Sequence, residues 1–164
     1  MSDEPRDEIA GLSAPDHIVD RWRDGRLPVT APEDLPVPPG VVDASEVSDI
    51  RFTMLLWCPL PFGEVMQFFE TTAEERGYTI YASLERGEGP QSVGHVIFER
   101  AKFSGHAQVQ DFGPYTMRDL GFDRRRVTIT GYPAGAPQKS YKGAIRGGAS
   151  LEGWTTRRLP PAAQ

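Results

Sequence analysis

The side chains that could do chemistry are few. His95 and Glu99 lie four residues apart in a run of strand-forming residues, and His106 follows after a short break. On a strand that spacing puts both on one face. A neighbouring strand bringing in His106 would complete a set of two imidazoles and a carboxylate, which suits zinc or iron. No close ligand pair such as H-x-H or H-E-x-x-H is present, however. The favoured reading is therefore of exposed or half-buried sheet residues, and no metal or other cofactor is expected. The single cysteine, Cys58, precedes Pro59 and could serve as a nucleophile with His95 or His106 as its base. It also continues the alternation Phe52, Met54, Leu56, and no family-type signature surrounds it, so it reads as a small buried hydrophobe.

Arg124, Arg125 and Arg126 form a basic triplet beside Asp123. Such a cluster could bind phosphate or nucleic acid. A chain of net charge −5 and pI near 5.2 argues against general nucleic-acid affinity, so the triplet reads as a solvated strand start or a carboxylate-binding cluster. Gly143, Gly147 and Gly148 lack the lysine, the hydroxyl and the preceding strand of a phosphate loop.

Charge is segregated along the chain. Residues 1–50 hold twelve acidic and four basic residues, residues 51–132 are close to neutral, and residues 133–164 hold five basic and one acidic. Segregation of this kind marks segments that face partners. Trp22 lies in the acidic segment, and Tyr141 and Trp154 lie in the basic one, which otherwise is rich in Gly, Ala, Pro and Ser. Isolated aromatics on a biased arm are expected to dock on a partner or back onto the parent domain. The residues expected to bind a protein partner are thus Trp22, Arg124, Arg125, Arg126, Tyr141 and Trp154. The acidic start has no apolar run behind it, and the stretch from Met54 to Leu60 is far too short to span a bilayer. A soluble cytoplasmic protein is expected.

These groups must be held by a core. Ser13, Pro15 and Asp16 have the order of a helix start, with Gly25 to end it, which predicts a short N-terminal helix. Pro28, Pro32, Pro36, Pro38 and Pro39 then predict an extended linker. Residues 50–58 alternate with period two and predict a strand that Pro59 and Pro61 end. Val65, Met66, Phe69 and Ala73 recur at helical spacing, and Gly77 follows as a left-handed stop, so residues 62–76 predict the main amphipathic helix. Strands are predicted over 78–84, 93–100, 106–111 and 126–132.

The expected fold is α+β: an antiparallel sheet of four to five strands with one helix packed on one face. The chain divides into an acidic N-terminal arm (1–40), a core (41–132) and a basic C-terminal arm (133–164). From Pro36–Gly40 through Glu75-Arg76-Gly77-Tyr78 to Val93–Phe98, the chain resembles small bacterial strand-helix-strand domains found alone or in lipoproteins. That resemblance implies a fold and no activity. The function expected from the arms is a non-catalytic protein-binding or accessory subunit of a larger bacterial protein assembly. The alternative is a small metal- or thiol-dependent enzyme using His95, Glu99 and His106, or Cys58.

Overall fold

The computed structural model describes residues 31–111, 125–135 and 153–158. Among these residues seven strands form an antiparallel sheet: β1 (Val41–Val47), β2 (Phe52–Cys58), β3 (Thr79–Arg86), β4 (Val93–Arg100), β5 (Phe103–Gln110), β6 (Arg125–Tyr132) and β7 (Thr155–Arg158). The helix α1 (Phe62–Glu75) stands between β2 and β3. Spatial order is β1-β2-β6-β5-β4-β3-β7. The α1 connection therefore crosses three strands before the chain meanders back from β3 to β6 and pairs beside β2.

The α+β class, the antiparallel sheet and the covering helix agree with the sequence reading, but the strand count is seven rather than four to five. The two additional strands are β1 and β7. β1 carries a bulge between Val42 and Ala44, which breaks the alternation that would have marked it. β7 is Thr-Thr-Arg-Arg, polar throughout, because it pairs along an edge by backbone and charge. The expected N-terminal helix lies outside the described residues.

α1 forms where its apolar stripe dictates. Val65, Met66, Phe69 and Ala73 are fully buried against the sheet. It ends in a Schellman arrangement: Gly77 has φ 85°, its N–H donates to the Glu74 carbonyl at 3.0 Å, and the Tyr78 N–H donates to the Ala73 carbonyl at 2.9 Å. The facing side of the sheet supplies Phe52, Met54, Leu56 and Cys58 from β2, Val96 and Phe98 from β4, Ala107 and Val109 from β5, and Val127 and Ile129 from β6. Two glycines make room in this layer. Phe98 stands opposite Gly105 and Phe52 opposite Gly131, and each ring occupies the space a Cβ on its glycine would need.

A bulge at Tyr81 decides which β3 residues meet the helix. Ile80 pairs with Phe98 and Ala82 with Ile97, so Tyr81 is the extra residue. Before the bulge Ile80 belongs to the helix-side core. After it the phase is inverted, so that Ser83 and Glu85 face α1 while Ala82 and Leu84 join Ile97 on the far face. Leu84 and Ile97 are buried there, as is Trp57 of β2. The sheet thus has apolar residues on both faces.

Candidate functional site

On the far face, β4 and β5 bring two imidazoles together. His106 stands opposite Ile97, one diagonal step from His95. His95 Nδ1 and His106 Nε2 are 2.8 Å apart, and the rings stack with centroids 5.0 Å apart. One ring must donate and the other accept across this contact, so the geometry requires at least one N–H between them. Trp154, immediately before β7, covers His95 at 5.2 Å between centroids, and the Arg86 guanidinium lies 4.6 Å over the Trp154 ring. Burial, aided by the charge of Arg86, pushes His95 down to about 4 from its usual 6.5. Burial, aided by His95, pushes His106 down to about 3. Both rings are neutral at pH 7.

Glu99 does not complete a metal site. It stands opposite Ser104, beyond Ile97 and away from His95. Among the described residues no group of three metal-ligating side chains comes together. Cys58 is buried in the helix-side core, whereas His95 and His106 face the other way, so the sheet itself separates the thiol from both imidazoles.

Within the basic triplet, strand alternation separates Arg125 from Arg126. Arg125 is buried, with Nε 3.4 Å from Asp111 Oδ2. Arg126, one residue on, faces the opposite side and is half-buried. Arg124, Trp22 and Tyr141 lie outside the described residues.

One polar cluster among the described residues involves side chains that sequence reasoning did not single out. Glu70 of α1 is 7% exposed and sits at the seam between helix and β3. Ser83 Oγ donates to Glu70 Oε2 at 2.5 Å. Arg157 of β7 grips the same carboxylate with two bonds, Nε to Oε2 at 2.7 Å and Nη2 to Oε1 at 3.0 Å, and reaches Glu85 Oε1 at 3.0 Å through Nη1. Arg158 pairs with Glu74. A register shift makes this possible: Arg158 pairs with Ser83 and Thr156 with Leu84, which leaves Arg157 as the extra residue and lets two consecutive arginines both reach the helix side. Burial works to raise the Glu70 carboxyl, but hydrogen bonds from Arg157 and Ser83 outweigh it and hold it below the ordinary carboxylate range. The sequence did hold a signal here, since Glu70 falls four residues after Met66 and three before Ala73, on the apolar stripe of α1.

A second cluster fastens the segment before β1. Asp34 accepts two bonds from Arg100, at 2.7 and 2.8 Å, and one from the Tyr78 hydroxyl at 3.2 Å. Arg76 Nη1 donates to the Asp34 and Leu35 carbonyls, both at 3.0 Å. The Arg100 guanidinium lies 4.1 Å over the Tyr78 ring, and burial together with the Asp34 charge pushes the Tyr78 hydroxyl up to about 12. Leu35 is thereby held in the core.

Among the described residues no helix is long and apolar enough to cross a membrane. Comparison with known protein families, curated proteins and solved structures gives no match for this chain.

Proposed function

We propose that this chain is a non-catalytic protein-binding module, an accessory subunit of a larger assembly, that takes up an extended partner segment along β1. The observation carrying this reading is the placement of Val47 and Ile50. These are the large hydrophobic residues exposed among those described, at 51% and 63%, and both stand at the tip of the β1–β2 hairpin, beside the sheet edge that β1 forms. A shallow hollow of about 60 Å³ lined by Glu46, Val47, Ser48, Arg51 and Thr53 adjoins them.

An edge strand offers a row of backbone donors and acceptors to an incoming strand. The bulge after Val42 turns the first part of β1 away from regular pairing, so Ala44–Val47 is the stretch suited to strand addition. Residues 41–50 contain Asp43, Glu46 and Asp49 and no basic residue. That balance favours a basic partner segment with an apolar anchor, and it disfavours pairing of two β1 edges from two copies.

The test uses the full chain immobilised beside Val47→Asp and Ile50→Asp variants, with hydrogen exchange on any complex recovered. The reading expects a discrete partner that protects β1 amides and is lost by both variants at unchanged circular dichroism. A partner retained equally by both variants, a partner that leaves β1 amides unprotected, or no partner at all would overturn it.

A further inference from the structure

The opposite edge of the sheet is already occupied by strand addition. β7 is four residues long, its Thr155, Thr156 and Arg157 are exposed, and none of its residues belongs to the apolar core. Its attachment consists of backbone pairing to Ser83–Glu85, the carboxylates of Glu70, Glu74 and Glu85, and the Trp154 ring over His95. We infer that the outer edge of β3 is a recognition site for an extended Trp-x-x-Arg-Arg segment, filled by the chain's own C-terminal strand and open to the same segment carried by another polypeptide.

Three features make this a site rather than only a piece of fold. First, none of its residues belongs to the apolar core, so removal of β7 costs chiefly backbone pairing, charge and the contact of Trp154 with His95. Second, the receiving groups belong to other elements. Glu70 and Glu74 are set by α1, Ser83 and Glu85 by the bulge in β3, and His95 by β4. Third, an empty site is chemically incomplete. Glu70 would then keep the Ser83 hydroxyl but lose both bonds from Arg157, and a carboxylate packed between helix and sheet favours a cation. The planar fork of arginine answers that demand with two parallel bonds, which the single point charge of lysine would not reproduce.

Specificity follows from the two faces of the edge. Toward the helix, the register shift lets consecutive arginines reach Glu70 and Glu74. Toward the far face, the residue three before the first arginine lands on His95, and Arg86 closes over an aromatic ring there. A segment lacking either half loses one of the two anchors. The site concerns β3 and not β1, so it stands or falls separately from the partner reading above.

The probe is a labelled ten-residue peptide of the sequence at 151–160, LEGWTTRRLP, titrated by fluorescence anisotropy into the full chain. The wild type, its site occupied, is compared with the Arg157→Ala/Arg158→Ala variant, whose own strand is weakened. The expected result is saturable binding to the variant, about tenfold or more tighter than to the wild type, abolished when Glu70→Gln is added. Because Glu70→Gln could disturb the seam, the same question is put from the ligand side with a peptide carrying Ala in place of its first arginine, which is expected to lose binding by a similar factor. Overturning results are the absence of saturable binding to a variant whose circular dichroism matches wild type, or binding indifferent to the arginine in the peptide.

Discussion

His95 and His106 share a hydrogen bond that survives only while at least one of them is neutral, and burial keeps both neutral well below the ordinary imidazole range. Their folded-state values, about 4 and about 3, lie below the unfolded value of 6.5. The unfolded chain therefore binds more protons between these limits, and stability falls as pH drops. The contribution is fully present above about pH 6.5 and is lost progressively toward pH 4 and below. Asp34 and Glu70, whose values are lowered from ordinary carboxylate ones, add losses only at more acid pH. Urea unfolding at pH 7.5 and 5.5 should thus show a lower midpoint at 5.5, and His106→Gln should flatten that difference. An unchanged slope in the variant would remove the pair from the pH response. The glycine under Phe52 gives a sharper test of packing. Gly131→Ala puts a methyl where the ring lies and should cost about 1–3 kcal/mol in urea unfolding, with Phe52→Leu recovering part of it in the double variant.

Among the elements, those with an uninterrupted period were legible in the sequence. β2, α1, β4 and β6 fall within a residue or two of their expected bounds, because each has one apolar stripe facing one layer. β1 and β3 show what a bulge hides. The inversion at Tyr81 converts what period two would assign to the core into the far face, so neither the position of Ser83 nor its bond to Glu70 could be read from alternation. The nearness of His95 and His106 was legible as strand neighbours, whereas the failure of Glu99 to join them depends on register. β7 was illegible because its stabilisation comes from charge on α1 that lies far away in sequence. This gives an energetic prediction. Arg157→Ala takes two hydrogen bonds from Glu70, leaving it the Ser83 hydroxyl and the more distant charge of Arg158, and should cost about 2 kcal/mol. Glu70→Gln/Arg157→Ala should be less destabilised than the two single variants summed, because the amide removes the stranded charge. A strictly additive cycle would mean that the two side chains do not act as a pair.

For the molecule as a whole, the sheet is stabilised unevenly, and the unevenness follows from where apolar surface lies on each strand. β2, β6, β5 and β4 form its centre, and each is paired on both sides and contributes to the layer under α1. Among the described residues β1 and β7 are paired on one side each, β7 places nothing in the core, and β1 places Val42 there. Local opening free energies scale with the burial that opening exposes. Native-state hydrogen exchange should accordingly rank the amides. β7 opens first, with protection that drops further in Arg157→Ala. The Ala44–Val47 end of β1 follows, and the β4, β5 and β6 amides exchange only through global unfolding. The latch of Asp34 with Arg100 and Tyr78 should enter this order at a definite place. It fixes Leu35 in the core, and the segment it holds leads directly into β1. Asp34→Asn should therefore speed exchange at Val42 and its neighbours while leaving β7 unchanged, since Arg100 and Arg157 belong to separate carboxylate clusters. Equal acceleration at both edges would mean that the sheet opens as one cooperative unit, and the two edge sites would then not be separable in binding.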